Sequence, residues 1–367
     1  MTIAEQRAAG GPPERPTEAG PTESGGTGSS RWKYGVVALA LVVFAAAAVV
    51  FASGSDPRSV TGTVDVANLP VGPTPPGLGD AKGWINSKPL TDADLAGKVV
   101  VYDFWTYSCV NCVRTLPHLR ALYDRYAKDG LVVVGVHSPE FEFEKDHANV
   151  ADAVQRLHVS YPVALDDNLD IWNAFGTQYW PQQFVADRKG HVRYGHVGEG
   201  GDRETENVVR KLLGIPASAP GANAATATQV SPATTQTITP ETYLGLERGS
   251  GAARLDGPWT REAQYVQADA AGAALVFAYS AREVNLVLAP GERGATPVDV
   301  TVEIDGAPLP PEYRTPDTRV DGRGTTFVRV SGSDLYRLAL GPAIGQHTIG
   351  LTARAPGLRA FAFTFGT

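Results

Sequence analysis

Large apolar side chains are almost absent from residues 1–30, which are rich in Gly, Pro, Glu, Thr and Ser. Such a stretch is expected to be disordered, because it cannot bury enough surface to offset the entropy of ordering. Residues 34–55, YGVVALALVVFAAAAVVFASGS, then run without a single charge. At about 1.5 Å per residue, about 22 residues reach about 33 Å, enough to cross a hydrocarbon core of about 30 Å. A globular helix of this length would carry a polar face, and this run has none. Arg31 and Lys33 flank its near side, Asp56 and Arg58 its far side. That bias makes 1–33 a cytoplasmic tail and 34–55 a single transmembrane helix, with everything later outside the cell membrane. A cleaved signal peptide ending at Val50-Phe51-Ala52 is the competing reading, against which the long polar tail argues. Either way the folded part faces an oxidising compartment.

Residues 56–82 contain PVGPTPPG and read as a semi-extended linker. A second linker, 215–240, is rich in Ala, Thr and Pro. Between them, 83–214 alternates in period. Short apolar runs at 98–105 and 131–136 predict buried strands. Val113, Leu116, Leu119 and Leu122 predict a helix over 109–128, and Val150, Val154 and Leu157 another over 144–157. A short strand at 161–165 and a short helix at 168–175 follow. Two strands, 183–186 and 191–197, are joined by the hairpin signal Asp187-Arg188-Lys189-Gly190, and a helix over 203–213 closes the domain. This is βαβ alternation, hence an α/β fold. In 241–367 the pattern changes to period two: Val298, Val300, Val302 and Ile304 alternate with Asp299, Thr301, Glu303 and Asp305. Further strands are expected at 275–288, 325–330, 347–353 and 359–365. The expectation is an all-β sandwich, jelly-roll-like.

A length of 367 residues fits two domains plus accessory segments. The net charge of −7 gives no footprint for nucleic acid.

The chain has two cysteines, Cys109 and Cys112. A bridge between them would close a very small loop and stabilise little. The pair is instead suited to cycling between dithiol and disulfide. Two buried inert thiols, or half of a zinc site, are the other readings. No second C-x-x-C supplies the missing zinc ligands, and the one H-x4-H, His191 to His196, is far from the cysteines in sequence, so no metal is expected. The pair follows a strand and opens a helix, whose free N–H groups and positive dipole end favour a thiolate at Cys109.

The stretch Asp103-Phe104-Trp105-Thr106-Tyr107-Ser108-Cys109-Val110-Asn111-Cys112, with Pro117 beyond it, resembles the thioredoxin superfamily over about 83–214. The extra strand and helix before Trp180-Pro181 resemble its TlpA/ResA-like branch. Trp84-Ile85-Asn86-Ser87, and TPETYLG at 239–245, are similar to the extracytoplasmic part of DipZ proteins. That part joins a thioredoxin-like domain to a carbohydrate-binding-module-like sandwich. The resemblance implies a nucleophile at Cys109, a resolving thiol at Cys112 and a buried acid at Asp103 that deprotonates it. A solvent-facing strand-end carboxylate is the alternative for Asp103. It also implies a kinking proline at Pro117, a cis-proline at Pro181 and a substrate-binding role for Trp180, with simple core filling the alternative for Trp180. It implies no cofactor beyond a Cys109–Cys112 disulfide. His118, His137, Asp166 and Asp167 are read as packing or surface residues, and His191 and His196 suggest no metal chemistry.

The expectation is a membrane-anchored, extracytoplasmic thiol-disulfide oxidoreductase acting on protein thiols and disulfides. A reductant role, for example on apocytochrome in cytochrome c biogenesis, is favoured by analogy. DipZ proteins usually carry a multi-span CcdA-like domain. Only one span is read here, so a separate CcdA-like or other membrane protein would supply electrons. The Val110-Asn111 pair leaves the redox direction open. The alternatives are a redoxin-type thiol peroxidase, and a cell-wall glycan-binding protein with Trp259, Tyr265 or Tyr336 as stacking residues.

Overall fold

The computed structural model describes residues 65–216, 238–249 and 253–367. The expected tail (1–33), the expected membrane helix (34–55) and most of the expected second linker lie outside the described residues. Among the described residues no helix is long and apolar enough to cross a membrane.

Seven consecutive buried residues, Val99–Trp105, form the central strand of the first sheet. Burial on both faces is what an unbroken apolar run produces in such a sheet. In chain order the elements are β1 (Gly83–Ile85), α1 (Asp92–Leu95), β2 (Val99–Trp105), α2 (Val110–Tyr126), β3 (Leu131–His137), α3 (His147–Arg156), β4 (Val163–Leu165), α4 (Asp170–Phe175), β5 (Gln182–Ala186), β6 (Val192–Val197) and α5 (Asp202–Leu213). The sheet order is β1-β4-β3-β2-β5-β6. β2, β3 and β4 pair in parallel, and β1, β5 and β6 add antiparallel edges. Alternate residues of β2 serve two layers. Val99, Val101 and Trp105 pack with Leu116, Leu119 and Leu122 of α2, Val150 and Val154 of α3 and Val208 of α5. Val100, Tyr102 and Phe104 pack with Ile171 and Trp172 of α4.

Three expectations change. The linker reading of 56–82 fails for its later residues. Leu69 and Leu78 are buried, the Gly72 N–H bonds the Val192 carbonyl at 2.7 Å, and the Val192 N–H bonds the Pro73 carbonyl at 2.9 Å. The Arg193 guanidinium also donates to the Pro70 and Leu69 carbonyls. The physical reason is the free edge of β6, which the proline-rich segment covers. The helix expected over 144–157 begins later, because Asp146 accepts from the Ala148 N–H at 2.9 Å and caps α3. Ahead of it, Glu142–Lys145 is a 3-10 turn. β1, not expected from its pattern, is an edge strand of three residues.

The C-terminal region is β-rich. Among the described residues its strands form one continuous hydrogen-bonded sheet of eleven, where two separate sheets of a sandwich were expected. Ala274–Ala289 matches the strand expected at 275–288, but Asp334–Ala353 is far longer than the expected 347–353. They pair antiparallel, with register shifts between Ala281 and Glu283 and between Val284 and Asn285. Such irregularities bend strands, so that a single sheet can enclose a core. That core includes Val266, Leu286, Val300, Val328, Ile349 and Phe363. Thr239 joins the region through paired bonds with Ser280.

The two regions meet through a small apolar core of their own. Phe141 and Phe143, from the segment after β3, pack on Phe361 with ring centroids 5.2 and 4.9 Å apart, and Tyr243, Val287 and Ala362 complete the cluster. Charged contacts ring it. Arg114 of α2 bonds Glu199 and Glu283, Arg156 bonds Asp334 at 2.5 Å, and Arg293 bonds Asp152 at 3.0 Å.

Candidate active site

Cys109 caps the N-terminus of α2 in extended backbone conformation, and its Sγ accepts the Cys112 N–H at 3.4 Å. An orphan helix N–H is thereby aimed at the sulfur, which favours negative charge there. Both cysteines are free thiols; Cys109 is half-buried and Cys112 buried. Burial pushes the Cys112 thiol well above the usual thiol range, and the neighbouring Cys109 and Asp103 push it further. Pro117 sits inside α2.

Asp103 lies in the fifth position of β2 and is wholly buried. It pairs across the sheet with Gly135 of β3 and Gln183 of β5. The solvent-facing alternative for this residue is therefore excluded. Burial raises its pKa to about 7, opposed by the Gln183 side chain, and no hydrogen bond of ordinary geometry reaches either carboxylate oxygen. Asp103 and Cys112 both also push the buried Tyr161 phenol upward, so the three groups form one electrostatic cluster beneath the cysteines. Gly135 makes room for it, since a Cβ there would stand 2.9 Å from Nε1 of Trp105 and 3.1 Å from the Tyr161 ring.

The Trp180–Pro181 peptide bond is cis. Cys109 Sγ lies 3.8 Å from the Trp180 carbonyl oxygen, so this turn faces the first cysteine. The Trp180 indole packs on Trp172 at 4.1 Å and donates to the Ser138 carbonyl at 2.9 Å. It also lines the cleft beside Cys109. Core packing and cleft lining are thus both true of Trp180.

Sequence reasoning missed Glu144. Its carboxylate is buried and gathers donors from two segments. Thr106 Oγ1 donates at 2.5 Å, Ser108 Oγ at 2.6 Å, the Glu140 N–H at 2.6 Å and the Phe141 N–H at 3.0 Å. Burial and the charge of Glu140 raise its pKa to about 7, and the Ser108 and Thr106 hydroxyls oppose the rise. One carboxylate thus ties the loop leading into Cys109 to the segment that packs on Phe361. The alternation Phe141-Glu142-Phe143-Glu144 is the only sequence signal, and it does not say which glutamate turns inward. Glu144→Gln replaces one acceptor by a donor facing other donors. It is expected to lower stability by about 1–3 kcal/mol, read as a lower midpoint in urea unfolding; an unchanged midpoint would contradict the clamp.

The residues read as packing groups serve as such. His137 is buried, stacks on Tyr107 at 5.6 Å and is held neutral by burial, its pKa pushed down to about 3. Asp166 accepts the Ile171 and Trp172 N–H groups at 2.9 and 2.8 Å. Among the described residues no group of three or more His, Cys, Asp or Glu side chains is placed to hold a metal ion. In the C-terminal region, Trp259 donates to the Asp256 and Ala274 carbonyls. Tyr265 packs on Phe361, and the Tyr336 hydroxyl bonds Gly332 and Ser331.

Beside Cys109 opens a cleft of about 350 Å³. One wall is Asn111, Tyr179 and Trp180; the other comes from the C-terminal region, with Glu241, Tyr243 and Phe365.

Residues 85–213 match the Redoxin family, and residues 250–366 match the family described as thioredoxin-like C-terminal domain. Protein DipZ of Mycobacterium tuberculosis (strain CDC 1551 / Oshkosh) is 33% identical over 326 residues, which is 80% of this chain and 43% of that protein. The chain therefore spans less than half the length of that relative. Thiol-disulfide oxidoreductase YkuV of Bacillus subtilis (strain 168) is 28% identical over 138 residues, 38% of this chain and 93% of that protein. Among solved structures, a thiol:disulfide interchange protein of the thioredoxin family from Chlorobium tepidum TLS shares 23% identity. It covers 40% of this chain and 99% of its own, at a TM-score of 0.34. By these matches the chain carries a Redoxin domain over residues 85–213 and a thioredoxin-like C-terminal domain over residues 250–366, and it is similar to DipZ and to a thiol-disulfide oxidoreductase.

Proposed function

We propose that the chain exchanges thiols and disulfides with protein substrates through Cys109 and Cys112, as a reductant. The observation that carries this reading is the Cys109 sulfur at a helix N-terminus, with a buried Cys112 and a buried, raised-pKa Asp103 behind it. Cys109 attacks one sulfur of the substrate disulfide and expels the other as a thiolate, leaving a mixed disulfide. Cys112 passes its proton to Asp103 and attacks Cys109 Sγ, releasing the second substrate thiolate. Two electrons have moved to the substrate, its thiolates take up the two protons, and Cys109 and Cys112 are left as a disulfide. No other cofactor is required. Trp180 and Pro181 form the substrate-facing turn.

The uncharged run at 34–55 supports a single-pass membrane anchor, with the redox domain on the extracytoplasmic side. There a CcdA-like or other membrane donor would return the pair to dithiol, and apocytochrome disulfides of cytochrome c biogenesis are one substrate class. The reduction potential of the full chain tests the direction. A value below about −200 mV fits a reductant, and one near that of strong oxidants, about −120 mV, would sink it. Stopped-flow reaction with peroxide separates the peroxidase alternative, which requires oxidation of Cys109 faster than that of free cysteine.

A further inference from the structure

The cleft beside Cys109 is bounded by both regions of the protein, and its charge is one-sided. Its lining includes two carboxylates, Glu140 and Glu241, and no basic side chain among the described residues. Glu140 is answered: Arg248 bonds it at 2.6 Å and the Tyr243 hydroxyl at 2.5 Å. Arg248 approaches from outside the cleft, lying over the Tyr243 ring at 4.9 Å and lining a separate small pocket. Glu241 is not answered in the same way. Its Oε2 accepts the Tyr243 hydroxyl at 3.0 Å, and no basic side chain pairs with it among the described residues. Glu241 is exposed; crowding on one side and the charge of Glu140 raise its pKa to about 7, and Arg248, beyond ion-pair distance, opposes the rise. An exposed carboxylate that lines a ligand-sized cleft, with no basic side chain within ion-pair distance among the described residues, attracts a ligand that brings one. The rings of Tyr179, Tyr243 and Phe365 line the same space and can pack on the stem and head of such a cation.

We infer that the C-terminal region is the specificity wall of the redox site, and that the cleft takes cysteine-bearing polypeptide segments with a Lys or Arg beside the cysteine, Glu241 receiving the cation. This rests on the oxidoreductase reading and names its substrate class. The cleft is continuous with Cys109, so a substrate sulfur at Cys109 brings its neighbouring residues against Glu241, Tyr243 and Phe365.

The test uses the full chain at pH 8 and three peptide disulfides that differ only in the residue next to cysteine: Lys, Gln or Glu. The readout is the Lys-to-Glu ratio of kcat/KM, in which any general change of rate cancels. The wild type is expected to favour Lys by about fivefold or more, the scale of one partly desolvated charge pair. Glu241→Gln is expected to bring the ratio to near one, and Glu241→Lys to invert it. A wild-type ratio near one, or a preference that persists in Glu241→Gln, overturns the inference while leaving the oxidoreductase reading intact. Failure of the wild type to reduce all three peptides, and neutral hydroxyethyl disulfide besides, overturns the oxidoreductase reading and this inference with it.

Discussion

Cys112→Ser is expected to convert the protein from a turning-over catalyst into a trap. Cys109 keeps its place at the head of α2, where the backbone N–H of residue 112, unaffected by the substitution, still points at its sulfur. Attack on a substrate disulfide therefore proceeds, and the mixed disulfide has no internal thiol to release it. Turnover should fall on the order of 10³-fold or more, because the two cysteines act as a unit. Covalent adducts should be visible by mass spectrometry without reductant. Cys109→Ser is expected to lose turnover as completely and to form no adduct, since the remaining thiol at Cys112 is wholly buried and held protonated. Adducts of similar yield in both variants, or near-normal turnover in Cys112→Ser, would contradict the assignment of attacking and resolving sulfurs.

Asp103→Asn is expected to pull activity and stability in opposite directions. The folded chain holds the Asp103 proton to about pH 7, against an ordinary value of 3.8. In the unfolded chain that proton leaves near the ordinary value. Between about pH 4 and pH 7 the unfolded state has therefore lost a proton that the folded state keeps, so this residue's contribution to stability declines as pH rises and is flat above pH 7. The full difference is on the order of 4 kcal/mol. Asparagine cannot ionise, so the variant should be more stable than the wild type at pH 8, with the advantage shrinking toward pH 4. Comparing the two proteins removes the shared contribution of Glu144, whose pKa is also raised. Turnover at pH 7 should fall about 10²-fold, the usual scale of a lost general base. An inflection near pH 7 in the rate profile of the resolving step should disappear. A purely structural Asp103 would leave that inflection in place, so its survival in Asp103→Asn would count against proton transfer.

Much of the candidate site could be read locally. The C-x-x-C, the strand before it and the helix after it lie within about thirty residues, and each is written in its own periodicity. The burial of Asp103 was legible only in part: six apolar residues surround it in β2, but a solvent-facing strand-end carboxylate fitted the same sequence until the sheet placed it between β3 and β5. Glu144 was not legible. It reaches Thr106 and Ser108 across 38 and 36 positions of sequence, and neither end carries a pattern that names the other. The edge cover on β6 was hidden for a similar reason. A proline-rich stretch looks like a spacer until a strand with unpaired N–H and C=O groups lies beside it. The long strand Asp334–Ala353 was seen only in its second half, because Gly341, Pro342 and Gly345 interrupt the alternation there. Pairing with Ala274–Ala289 overrides those breaks.

By itself the sequence determined the cysteine pair, its helix, the strand that carries Asp103 and the change from α/β to β along the chain. These follow from short-range periodicity and from the chemistry of single residues. The tertiary structure alone decided that Glu144 braces the loop before Cys109 and that Glu241 and Tyr243 close the cleft from a second region, and it placed the Trp180 carbonyl against the Cys109 sulfur, where the resemblance had implied only a cis-proline turn. Those contacts join residues from about forty to more than a hundred positions apart. The packing of Phe141 and Phe143 on Phe361, with the charged contacts between the same regions, brings them close enough for one to shape what the other can bind.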